Sequence, residues 1–156
     1  MSRFQFRLES VLNIREKFED KKKQEYSDAL NKLQREVELK EKLVNESISL
    51  FSLLRTKMLD SISPREIIFY NNYANYLKVR IAEQEDNIIL AKKRAEEKRQ
   101  ELIEASKQKK MLEKLKEKEW INFLDEENKK EQKIIDEIVS FKSQNRLIDR
   151  SETNSQ

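Results

Sequence analysis

Glycine, cysteine and histidine are absent from the 156 residues, and Pro64 is the only proline. Sheet-rich and α/β domains need glycine and proline punctuation at their turns, which this chain cannot supply. Lacking cysteine and histidine, it has no thiolate nucleophile, no zinc-ligand set and no Ser-His-Asp triad. Lacking glycine, it has no phosphate-cradling loop of the Walker or Rossmann kind. Catalysis is therefore not expected, and neither a metal nor a cofactor is called for. No stretch is long and apolar enough for a transmembrane segment, and the N-terminus lacks the apolar core of a signal peptide. A cytoplasmic protein is the expectation.

What is present favours helix. Charged residues make up 40% of the chain and hydrophobic ones 37%, in glutamate-, lysine- and leucine-rich runs without breakers, as in coiled coils. The net charge is only +3, from 33 basic and 30 acidic side chains. The most basic stretch is 92–119, but seven glutamates are interleaved with its lysines and arginines. A nucleic-acid binder gathers its cations on one surface. This pattern reads instead as a solvated helix face, so no nucleic acid is expected as partner.

One break interrupts the helical pattern. In Asp60-Ser61-Ile62-Ser63-Pro64-Arg65-Glu66, Ser63 can cap a helix, Pro64 suits its first position and Glu66 completes a capping box. The spacing predicts a first helix over about 4–60, a tip at 61–63 and a second helix over about 64–145, roughly 120 Å long at 1.5 Å per residue. Residues 148–156 have no apolar period and are expected to form a flexible tail. Steps of three and four residues from Leu30 meet an apolar side chain at seven of nine positions, including Val37, Val44, Phe51 and Met58. From Tyr70 the same steps succeed at ten of thirteen, through Leu77, Ile88, Ala91 and Ala95. These are heptad seams.

The expected fold is all-α, a single long antiparallel two-helix coiled-coil hairpin over residues 1–147. Partner residues should have numbers adding to about 124 or 125. Leu54 then meets Tyr70, Phe51 meets Ala74 and Val37 meets Ile88, while the polar breaks Lys40 and Gln84 land together. Phe4 falls beside Trp120 and Ile121, with Phe123 and Leu124 near, and about twenty further helical residues overhang that aromatic end. Ile134, Ile135 and Ile138 have too little partner helix to cover them. Either they dock on the N-terminus or another protein covers them. Tyr70 belongs to the seam, whereas Tyr73 and Tyr76 should face outward, as a docking surface or as cover for the seam near its turn.

The residues at the two ends carry a resemblance. The opening FxFxLxxVLxxR of residues 4–15, the proline-bearing break, the stretch Lys110–Lys118 and the ending EQKxxDE of residues 131–137 resemble the flagellar export protein FliJ family over about residues 3–142. The resemblance implies an antiparallel coiled coil like the central stalk of rotary ATPases. Its open end would sit in the hexameric flagellar export ATPase, promote ring assembly and activity, and link the ring to a membrane export-gate protein. The family is also implicated in handling export chaperones. Carried over by position, the ATPase-facing residues are Phe4, Phe6, Leu8, Val11, Leu12 and Arg15, with Gln132, Asp136 and Glu137. A gate-facing stripe maps to Leu39, Leu43, Leu50, Tyr73, Leu77, Arg80 and Gln84. The sequence departs from that stripe at Glu46, and the heptads put Leu77 and Gln84 on the seam. The implied place is the cytoplasmic face of the cell membrane at the flagellar base, with peripheral association only. A general coiled-coil scaffold, or the stalk of a related virulence-type secretion system, is the alternative reading.

Overall fold

The structure, a computed structural model, describes residues 3–153, and side chains from 3 to 146. It contains two long helices and, among the described residues, no strand. Helix α1 spans Glu9–Leu59 and helix α2 spans Pro64–Thr153. They pack against each other as the expected helical hairpin. None of the described helices is long and apolar enough to cross a membrane.

The tip forms as its residues dictate. The Ser63 hydroxyl accepts the Glu66 backbone N–H at 3.3 Å, and a Glu66 carboxylate oxygen accepts the Ser63 backbone N–H at 3.1 Å. This reciprocal box satisfies two donors that the start of α2 would leave open, and Pro64 has no N–H to satisfy. The contact with the Ser63 N–H holds the Glu66 carboxyl below its ordinary range. Lys57, in the last turn of α1, places its ammonium 5.1 Å from the Tyr70 ring centre, where the ring face favours a cation.

Both outer boundaries differ from the sequence reading. Helix α1 begins at Glu9, not near residue 4, because the alternation Phe4-x-Phe6 sends both rings toward α2 in a non-helical lead-in. The Glu9 N–H turns back to the Phe6 carbonyl at 3.2 Å, and the first helical bond runs from Leu12 N–H to the Leu8 carbonyl at 2.9 Å. Helix α2 continues past 145 to Thr153: without glycine or proline after Ile148, no backbone element stops it. Residues 154–156 of the expected tail lie outside the described residues.

The packing divides into two compact units, Arg15–Gln108 and Met1–Ile14 with Lys109–Gln156. In the first, the helices are antiparallel and the register lies within one or two residues of the expected one. Arg15 bonds Gln108, Lys22 bonds Glu101 and Lys98 bonds Glu25, each pair adding to 123. The α2 seam follows the predicted steps through Leu77, Ile88, Ala91, Ala95 and Ala105, all buried.

The α1 seam departs from its expected phase. Its buried and half-buried positions run 15, 19, 22, 25, 26, 29, 33, 36, 37, 40, 43, 44, 47, 50, 54 and 57. Positions 33, 37, 40, 44, 47 and 54 agree with the apolar count, with 36 and 43 sharing the interior, whereas 29, 50 and 57 turn inward in place of the counted 30, 51 and 58. Leu50 is buried at 7% exposure, and Phe51, expected in the seam, is 58% exposed. Polar pairing explains the rotation. Gln84, at 4% exposure, donates to the Glu36 backbone carbonyl at 2.9 Å, which draws position 36 toward α2 beside the half-buried Val37. Lys40 does not meet Gln84; its ammonium takes the Glu85 carboxylate at 3.0 Å. A buried amide is satisfied by a carbonyl, whereas the Lys40 charge is compensated best by a carboxylate.

Candidate interaction surfaces

The N-terminal surface is built in the unit of residues 3–14 and 109–146. Phe4 meets Trp120 edge-on with ring centres 5.1 Å apart and Phe123 at 5.5 Å; Trp120 and Phe123 stack at 5.7 Å. Offset and edge-on ring pairs add stability beyond the area they bury. Phe6 and Leu12 are buried, and Glu9 pairs with Lys116 at 2.7 Å. A shallow groove of about 420 Å³ runs along Phe4, Gln5, Asn122, Phe123 and Glu126. Of the carried-over residues here, Phe4, Phe6, Leu8 and Leu12 anchor the lead-in to α2, while Val11 is exposed. Ile121 and Leu124 are more open than the sequence reading implies.

Farther along α2 in the same unit, residues 131–146 are all exposed. Gln132 donates to Asp136 at 3.0 Å, and Asp136 and Glu137 line an open groove of about 490 Å³ with Lys133, Ser140, Phe141 and Gln144. Ile134, Ile138 and Phe141 follow one another at helical spacing, and Ile135 and Val139 widen the face; all five are at least half exposed. An apolar helix face of this width, rimmed by Asp136 and Glu137, is a surface that a helical or grooved protein partner can cover. Arg15 belongs to the other unit, where its guanidinium donates to Gln108 at 2.6 Å.

The unit of residues 15–108 carries the second expected surface. Leu39, Leu43, Tyr73 and Arg80 lie partly or fully exposed on one flank of the hairpin. Leu77, at 1% exposure, Gln84 and Leu50 belong to its interior, as the heptads foresee for the first two, and cannot present themselves to a partner. The departure at Glu46 has a structural answer. The Tyr73 hydroxyl donates to the Glu46 carboxylate, which fixes the ring across the two helices and raises the phenol above its ordinary range. Tyr76, more exposed, stacks on Tyr73 at 6.2 Å. Thus Tyr73 is a tethered side chain rather than a free one, and Tyr76 is the outward ring.

Two features escaped the sequence reading. One is a four-charge cluster: Lys22 bonds Glu101 at 2.8 Å and Glu25 at 3.2 Å, while Lys98 bonds Glu25 at 3.0 Å and Glu101 at 3.2 Å. The lysines are held above, and the carboxyls below, their ordinary ranges by these hydrogen bonds. Heptad counting passes over it because it tracks apolar residues only. The other is the stripe of exposed Ile48, Phe51 and Met58 on α1, continued by the half-buried Val44. Its signal was an apolar side chain immediately after several seam positions.

Comparison with known proteins follows the same lines. No curated protein sequence matches the chain. A solved structure, described as a YscO homologue, CT670 from Chlamydia trachomatis, resembles it with a TM-score of 0.57 at 22% identity, covering 91% of this chain and 96% of that one. At that identity the likeness is one of fold. The profile of the flagellar FliJ protein matches residues 4–147. With nearly the whole chain matched, and with the hairpin that its end motifs implied, the chain belongs to the flagellar FliJ protein family.

Proposed function

We propose that this chain is a non-catalytic stalk of the flagellar type III protein export apparatus, which promotes assembly and activity of the export ATPase ring and couples it to the membrane export gate. Membership of the FliJ family makes it a component of that export apparatus. The observation that carries the finer reading is the open end of the chain. There an aromatic lead-in locked by Trp120 and Phe123 shares a compact unit with an uncovered apolar face at Ile134, Ile138 and Phe141. Isolated helix faces of that width cost solvation until a partner covers them. Val11, Gln132, Asp136 and Glu137 are the accessible residues for an ATPase contact; Phe6 and Leu12 hold the surface in place. On the gate side, Leu39, Leu43, Tyr73 and Arg80 supply the contact, and Leu50, Leu77 and Gln84 support it from within. Association with the membrane at the flagellar base is then peripheral, through the gate protein.

The test is a titration of the chain into its purified cognate export ATPase, with hydrolysis rate and light scattering followed on the same samples. Faster hydrolysis together with ring formation at less than one copy per ATPase subunit is expected. Both effects should be lost in an Ile134→Ser/Ile138→Ser variant that keeps its helix content. An unchanged hydrolysis rate and scattering with the folded wild-type chain would refute the reading and favour a general scaffold.

A further inference from the structure

The stripe on α1 opposite the gate-facing flank has no role in the function above. One turn of helix takes 3.6 residues, so each residue advances about 100° around the axis. Residues 48, 51, 55 and 58 each follow a seam position by one and line one flank. Leu39, Glu46 and Leu53 each precede one and line the other. The first flank presents Ile48 at 60% exposure, with Phe51 and Met58 similarly open and Val44 half-buried. Near Val44 a shallow groove of about 380 Å³ is lined by Val37, Lys40, Glu41, Val44 and Asn45. A third helix can pack here by the same three-four spacing that joins α1 to α2.

The charges along this stripe select its occupant. Glu41 and Arg55 stand seven residues, two turns, on either side of Ile48, with opposite signs. Neither has an ion-pair or hydrogen-bond partner among the described residues. An isologous contact about a two-fold axis at Ile48 would place Glu41 of each chain against Arg55 of the other, Ile48 against Ile48, Phe51 near Asn45 and Val44, and Leu59 near Val37. Such self-complementarity is what a two-fold dimer demands of one surface, and opposite charges at both ends fix the antiparallel direction. A parallel pairing would set Glu41 on Glu41 and Arg55 on Arg55.

We infer that this stripe is an interface with a second copy of the chain, pairing α1 antiparallel to its counterpart about Ile48. The interface leaves Leu39, Tyr73 and Arg80 on the outer flank and does not depend on the ATPase reading. With few large side chains in contact, it belongs to the weak class of interfaces below ~1,200 Å².

Sedimentation velocity of the full chain between about 5 and 300 μM tests the inference. The expected result is a reversible shift from the 18.9 kDa monomer to twice that mass. Ile48→Glu, a substitution at an exposed position, should remain monomeric throughout with unchanged helix content. Glu41→Arg should weaken dimerisation at least tenfold, and adding Arg55→Glu to it should restore the affinity to within about threefold. Because the chain has no cysteine, direction can be read by oxidation. Ile48→Cys should form a disulfide-linked dimer, and Glu41→Cys should cross-link to an Arg55→Cys chain faster than to itself. A wild-type monomer at 300 μM, a dimer indifferent to Ile48→Glu, or a double charge reversal that fails to restore it would each overturn the inference. So would preferential Glu41→Cys self-cross-linking, the mark of a parallel pair.

Discussion

Adjacent residues Leu50 and Phe51 separate two accounts of the α1 seam. Counting apolar residues puts Phe51 inside; the structure puts Leu50 inside at 7% exposure and Phe51 outside at 58%. Truncating a buried leucine to alanine removes its transfer free energy and leaves a cavity. In a two-helix seam open to solvent at its edges, the lower part of the observed range applies, ~2–3 kcal/mol. Phe51 has little buried area to lose, so its truncation should cost under ~1 kcal/mol. For a cooperative unit the size of Arg15–Gln108, each kcal/mol moves the midpoint by roughly 4–8 °C. Leu50→Ala should therefore lower Tm by about 8–24 °C, and Phe51→Ala by less than about 8 °C. Thermal unfolding followed by circular dichroism at low micromolar concentration, where self-association is negligible, gives both values, and urea unfolding of the same samples gives the m-value. An unchanged m-value confirms that stability alone has moved. Trp120, the only tryptophan, reports the other unit independently by fluorescence and should shift less. A Phe51→Ala cost equal to or above that of Leu50→Ala would refute the assigned phase.

Two further outcomes follow from named contacts. Ser63→Ala removes one half of the reciprocal box with Glu66 and should cost about 1 kcal/mol in urea unfolding; no measurable loss would mean that Pro64 alone starts α2. The charge cluster sets the pH response. Glu25 and Glu101 are held below 4.5 chiefly by hydrogen bonds from Lys98 and Lys22 respectively, so their contribution is present above that pH and lost as pH falls through the lowered values. Lys22 and Lys98, held above 10.5, contribute below that pH and stop doing so as pH rises through their raised values. Tm should be level between about pH 6 and 9 and fall on both sides. Its acid fall should be shallower in Lys98→Met, and an identical fall would exclude the cluster as the cause.

The sequence determined the architecture of the hairpin. With no glycine and one proline, only Asp60–Glu66 could interrupt the helices, so the turn, the antiparallel direction and the register near 124 followed from local chemistry and chain connectivity. The α2 seam was legible too, because its interior residues are apolar or alanine and repeat by heptads. The end motifs that name the family were likewise local signals. Which side of α1 faces inward was a different matter. Apolar residues occur at two adjacent stripes of that helix, and counting them cannot choose between 50 and 51. The choice rested on Gln84 reaching the Glu36 carbonyl and on Lys22, Glu25, Lys98 and Glu101 closing a cluster between residues more than seventy positions apart. Those pairings exist only once both helices are placed. Their strength comes from distance and desolvation in three dimensions, which a one-dimensional period does not contain.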